Sequence, residues 1–140
     1  HDGRDFYLGD YEAYVGVQAA VDELAARSEP GDRLLVGPLD LRRTWYSDVF
    51  IYWLLPELEP ATYYIEMDPG IANAEGSSLA DDVASADFLV LTGLWDGWME
   101  PNSSMEFGSD APNQVVRDQF CEIGNWEDSQ AVLYERCDRL

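Results

Sequence analysis

The chain has 140 residues, 46% hydrophobic and 13% aromatic, enough for one ordinary domain that folds around its own core. Its 16 Asp and 12 Glu face 8 Arg and no Lys, a formal net charge of −20 at pH 7 that repels phosphate backbones and anionic lipid and argues against nucleic-acid binding. With no Lys for a Schiff base or a P-loop, and its one His at position 1, where a cloning scar or a frayed end belongs, the chain excludes Ser-His-Asp and Cys-His catalysis.

Residues 1–10 read as a lead-in and 11–140 as a single domain. Tyr14, Val17, Val21 and Leu24 recur at helical spacing and predict an amphipathic helix over Tyr11–Arg27, ended by Pro30-Gly31-Asp32. Arg33–Gly37 (RLLVG) is a short apolar run, the pattern of a buried strand. A polar loop through Thr44 follows, and Tyr46–Leu55 reads as a mostly buried helix stopped by Pro56 and Pro60. Thr62–Met67 (TYYIEM), β-branched and aromatic, predicts a second strand, closed by Asp68-Pro69-Gly70. Ser77 or Ser78 can cap a helix to about Ser85, with Asp81 and Asp82 favourably placed in its first turn. Asp87–Gly93 (DFLVLTG) is the third strand.

This alternation is the grammar of right-handed βαβ crossovers. The tail departs from it: a short helix over Pro112–Gln119 is followed by strands at Phe120–Trp126 and Gln130–Cys137, separated by Glu127-Asp128-Ser129. The expected fold is α/β, a three-layer sandwich with a mainly parallel sheet of about five strands and a C-terminal antiparallel hairpin at its edge. Cys121 and Cys137 are too few for a zinc site. They flank the hairpin, whose far ends lie side by side, so a disulfide fits them, with two free thiols as the alternative. A disulfide implies an oxidising compartment.

In an open parallel sheet the loops leaving the carboxyl ends of the strands gather on one edge. The first loop brings Asp40, Arg42 and Arg43, and the second Glu66, Asp68 and Asn73. The third, between Leu94 and Ala111, brings Trp95, Asp96, Trp98, Glu100 and Asn102. Carboxylates, arginines, amides and indoles on one rim suit a sugar, whose hydroxyls pair with the polar groups while its C–H face lies on a ring. No apolar run approaches the ~20 residues of a membrane span. Neither a Gly-x-Gly-x-x-Gly nor an EF-hand pattern occurs, and no cofactor or metal is expected. An Asp-rich, Lys-free surface suits a saline habitat; the codon bias of a GC-rich genome yields the same composition.

A longer string is more specific. Gly31-Asp32-Arg33, Val36-Gly37-Pro38, Asp40-Leu41-Arg42-Arg43-Thr44, Tyr46-Ser47-Asp48, Pro56-Glu57-Leu58 and Tyr64-Ile65-Glu66-Met67-Asp68-Pro69-Gly70 run on through Ala86-Asp87, Trp95-Asp96 and Glu100-Pro101-Asn102. Asp110-Ala111-Pro112-Asn113-Gln114-Val115-Val116-Arg117 and Tyr134-Glu135-Arg136-Cys137 complete it. Over roughly residues 30–137 the string resembles the C-terminal extracytoplasmic domain of actinobacterial multi-spanning membrane proteins akin to the glycosyltransferase C superfamily, relatives of the protein mannosyltransferases. The resemblance implies a parent that transfers sugar from a polyprenyl-phosphate donor, with this domain on the outer face of the cell membrane. In that superfamily the catalytic carboxylate lies in the membrane part, so no catalytic residue is carried over.

The chain begins without a signal peptide, which for an extracytoplasmic protein means a processed product or a domain of something longer. Tyr46 and Asp48, within the string, join the candidate binding residues. The expected function is a non-catalytic accessory domain whose partners are the membrane-embedded portion of the same polypeptide and an acceptor glycan. The alternatives are a protein-protein interaction module of the cell envelope and a free-standing glycoside hydrolase using Glu66 and Asp68, two carboxylates that could serve as acid and base.

Overall fold

A computed structural model describes residues 3–126 and 131–140. His1, the segment Glu127-Asp128-Ser129 expected to separate the last two strands, and Gln130 lie outside the described residues. The elements are α1 (Tyr11–Arg27), β1 (Arg33–Pro38), α2 (Phe50–Leu54), β2 (Glu59–Pro60), α3 (Leu79–Ser85), β3 (Phe88–Thr92), α4 (Ala111–Gln119), β4 (Phe120–Trp126) and β5 (Ala131–Arg136). Among the described residues no helix is long and apolar enough to cross a membrane.

The five strands form one sheet in the order β2-β1-β3-β5-β4. β1 runs parallel to β2 and β3, whereas β5 is antiparallel to both β3 and β4. The sheet is therefore mixed, not mainly parallel. The C-terminal antiparallel hairpin lies at the sheet edge, as expected: β5 adds beside β3, in register from Phe88↔Glu135 to Thr92↔Ala131, and β4 is outermost. The reason lies in the side chains. β5 carries Ala131, Val132 and Leu133, all buried, whereas β4 alternates toward exposure and suits an edge.

Alternation along the strands divides the core between the two faces of the sheet. Leu34, Val36, Phe88, Val90 and Leu133 face Val17, Val21 and Leu24 of α1 and Ile51 and Leu54 of α2. Leu35, Leu89 and Leu91 face Leu79 and Val83 of α3 and Val116 of α4. In α1 the predicted stripe is realised except at Tyr14, which is exposed. Asp10 caps this helix, its Oδ1 accepting from Ala13 N–H at 3.1 Å. The lead-in lies against the first cluster through Leu8, and Phe6 stacks on Phe50 with ring centroids 4.0 Å apart.

Two expected elements are corrected. Thr62–Met67 is not a strand, because local bonds take its backbone: Thr62 Oγ1 accepts from Tyr64 N–H at 3.0 Å, and Met67 N–H donates to Tyr64 O. Tyr63 is left 92% exposed, and Met67 is buried at a positive φ of 56°. The strand beside β1 is instead Glu59–Pro60, a two-residue edge where the missing N–H of Pro60 costs nothing.

The helix expected over Tyr46–Leu55 shrinks to Phe50–Leu54. Its lost first turn is committed elsewhere, because β2 is too short to pair with Val36. Ser47 Oγ donates to Val36 O at 3.0 Å, and the Tyr52 hydroxyl accepts from Val36 N–H at 2.8 Å. Burial pushes the Tyr52 phenol up to about 12.

Candidate functional site

The loops that leave β1, β2 and β3 do gather on one edge of the sheet, and Asn73 ties them together. Its buried side chain accepts from Gly70 N–H and donates to Arg42 O, each at 2.7 Å. Its own carbonyl accepts from Ser109 N–H, and Gly108 N–H donates to Arg42 O. The backbones approach so closely that a Cβ on Gly108 would overlap the Asn73 carbonyl. Gly70, at φ +77°, lets the second loop lie on Ser103 of the third.

Between these loops opens a cleft of about 340 Å³ lined by Trp45, Tyr46, Ser47 and Val49, by Glu66, Asp68 and Pro69, and by Glu100, Asn102 and Ser104. Five predicted residues therefore share one cavity: Tyr46, Glu66, Asp68, Glu100 and Asn102. Glu100 is held from both sides, one oxygen accepting from the Tyr46 hydroxyl at 2.9 Å and the other from Asn102 Nδ2 at 3.2 Å. The Glu100 carboxylate in turn raises the Tyr46 phenol above its ordinary pKa. Asn102 Oδ1 accepts from Ser104 N–H at 2.8 Å, closing the 3₁₀ turn Ser103–Met105 that forms this wall. The Glu66 and Asp68 carboxylates make no hydrogen bond or ion pair among the described residues and are exposed.

The other candidates lie around the cleft in supporting roles. Asp40 takes a bidentate pair from Arg42, with Nη2 at 2.7 Å, and accepts from Asn113 Nδ2 of α4 at 2.8 Å. Arg42 above all, and then Asn113, lowers the Asp40 carboxyl to about 2. Arg43 packs its guanidinium on Phe107 at 3.9 Å and on Trp45 at 5.3 Å from the ring centroids. Asp96 is raised, first by burial and then by the charge of Asp40, with Arg43 opposing. Trp95 packs on Tyr46 at 5.6 Å and on Trp98 at 6.1 Å, and Trp98 is 59% exposed.

Asp48 is the anchor of the third loop. Only 2% exposed, it accepts from Thr92 Oγ1 at 2.6 Å and from Trp95 Nε1 at 2.9 Å, so the end of β3 and the first Trp of the loop share one carboxyl. Burial raises its pKa. The folded state thus binds this proton more tightly than the unfolded chain, and the carboxyl subtracts from stability above its folded pKa, less so as pH falls. Asp48→Asn keeps an acceptor for Trp95 and gains a donor for Thr92 Oγ1. Thermal melts are expected to show the variant at or above the native melting temperature near neutral pH, the gap closing toward about pH 4, the ordinary Asp range. A variant melting lower at every pH would contradict this reading.

Sequence reasoning missed Trp45, Ser104 and Asn113. Trp45 sits between the polar loop and the expected helix and belongs to neither, yet it is buried and forms a wall of the cleft. Asn113 reaches the first loop from α4, its Oδ1 also accepting from Leu41 N–H at 3.0 Å. No local signal marks it. Arg43 Nε, Thr44 Oγ1 and Trp45 Nε1, on three consecutive residues, are buried without a hydrogen-bond partner among the described residues.

Cys121 and Cys137 form a disulfide with Cα atoms 5.0 Å apart, tying β4 to the chain just beyond β5. Compared with known proteins, the chain matches no family model, no curated protein and no solved structure.

Proposed function

We propose that this chain is the non-catalytic accessory domain of a polyprenyl-phosphate-sugar-dependent membrane glycosyltransferase-like protein. It stands on the extracytoplasmic face of the cell membrane, its carboxyl-edge loops meeting acceptor glycan or the membrane-embedded catalytic half. The observation that carries the glycan reading is the cleft. One cavity combines aromatic walls, Trp45 and Tyr46, with hydroxyl-pairing groups, Glu66, Asp68, Glu100 and Asn102, from three separate loops. That is the division of labour a sugar asks for. The disulfide accords with an oxidising compartment. Helices against both faces of the sheet accord with a three-layer sandwich.

Titration calorimetry with a panel of cell-envelope oligosaccharides tests the reading. Tyr46→Ala and Asp68→Ala are each expected to weaken binding about tenfold, the loss of a ring face or a charge-assisted hydrogen bond. Unchanged affinity in both variants would remove the cleft from the binding surface, and cleavage products in the cell would point to hydrolysis instead. A protein partner is the second reading, favoured by Trp98, Met99, Met105 and Phe107, four exposed apolar side chains on the third loop. Trp98→Ala/Phe107→Ala that abolishes association with the catalytic half, with glycan binding intact, would select it.

A further inference from the structure

We infer that the cleft selects saccharides bearing a free, protonated amine over N-acylated or anionic ones; the inference rests on the glycan reading above and names the ligand class of the same site. Every charged side chain in the lining is acidic, Glu66, Asp68 and Glu100, and no arginine joins them. The arginines nearest in sequence are engaged by other groups, Arg42 with Asp40 and Arg43 on the rings of Phe107 and of Trp45, a wall of the cleft. A uronate, sulfate or phosphate entering this cavity meets three carboxylates and no cationic side chain in the lining, and is repelled. A protonated amine meets two carboxylates with all their acceptor positions open, and a third fixed in place by Tyr46 and Asn102. Tyr46 adds a ring face that attracts a cation as well as a C–H surface.

The test compares a glucosamine disaccharide, its N-acetylated counterpart and a glucuronate-containing disaccharide by titration calorimetry on the whole chain, at about pH 6, where amines are protonated. The free amine is expected to bind about tenfold more tightly than the N-acetylated sugar, the scale of one charge-assisted hydrogen bond, and the uronate not measurably. Because the whole surface is acidic, two double variants with the same charge change are needed. Glu66→Gln/Asp68→Asn should bring the amine preference close to one, whereas Asp81→Asn/Asp118→Asn, on α3 and α4 away from the cleft, should leave it intact.

Equal affinity for amine and N-acetyl forms would overturn the charge selectivity while leaving the glycan reading standing. Equal loss in both double variants would assign the preference to the general field and overturn it too. Failure of all three sugars to bind would fall on the glycan reading itself.

Discussion

Raising KCl from 0.1 to 1 M is expected to lift the melting temperature by on the order of 10 °C for a chain of this length. The 28 carboxylates and 8 arginines leave at least 20 negative charges without a cationic partner. Spread over a sphere with the molecule's 7271 Å² of surface, radius about 24 Å, they repel one another by about 10 kcal/mol at 0.1 M salt and about 4 kcal/mol at 1 M. The unfolded chain keeps part of this repulsion at greater separation, so a few kcal/mol of net stabilisation remains.

Salt also weakens the favourable pairs, such as Arg27–Glu23 and Arg117–Asp110. These are exposed, and exposed pairs contribute little, so repulsion sets the sign. KCl is the right salt because sulfate would strengthen apolar burial as well. Melts followed by circular dichroism at constant pH give the answer. A melting temperature that is flat or falls across this range would mean that the net charge does not limit stability.

Replacing Cys121 and Cys137 together by Ser is expected to lower stability by about 3 kcal/mol, or melting by about 10 °C. The cross-link joins residues 16 apart in sequence, and without it the unfolded chain regains the freedom of that loop. The native state also loses a fastening where it has few others. β4 is an edge strand with a single strand neighbour, and its ladder with β5 is irregular between Glu122 and Gly124. Differential scanning calorimetry of the native and double-Ser chains checks the size. A difference of only a degree or two would mean that the buried face of β5 alone fixes the hairpin. Since the salt effect resides in the whole surface and this one in a single loop, the two should add.

Much of the architecture can be read in the chain because several segments carry one unambiguous period. The apolar spacing of α1 and the continuous runs of β1 and β3 each matched the observed element to within a residue or so. The β4 and β5 strands were equally plain. So was the convergence of three loops on one edge, since parallel β1 and β3 leave their carboxyl ends together. Residues chosen for that edge by type alone include four that line the cleft, Glu66, Asp68, Glu100 and Asn102.

What the sequence could not decide was how the segments compete for partners. TYYIEM has the composition of a strand, yet the hydroxyl of Thr62 takes the backbone of Tyr64 and also donates to Asp82 of α3 at 2.8 Å. Tyr46–Leu55 has the composition of a helix. Ser47 and Tyr52 are drawn to the unpaired edge of Val36, and Asp48 to Thr92 and Trp95, 44 and 47 residues away. The position of β5 beside β3 likewise depends on which strand has two buried faces to offer.

Local period and charge, being properties of neighbouring residues, were therefore determined by the sequence as it stands: seven of the nine α-helices and β-strands among the described residues, an acidic surface, and cysteines placed to meet. The mixed order of the sheet, the two-residue strand at its edge, the choice of Trp45 as a cleft wall and the burial of Asp48 were decided only by tertiary structure. In the sheet order, the edge strand and Asp48 a backbone or polar group had to find its hydrogen-bond partner far away in the chain, and no local pattern encodes which one it finds.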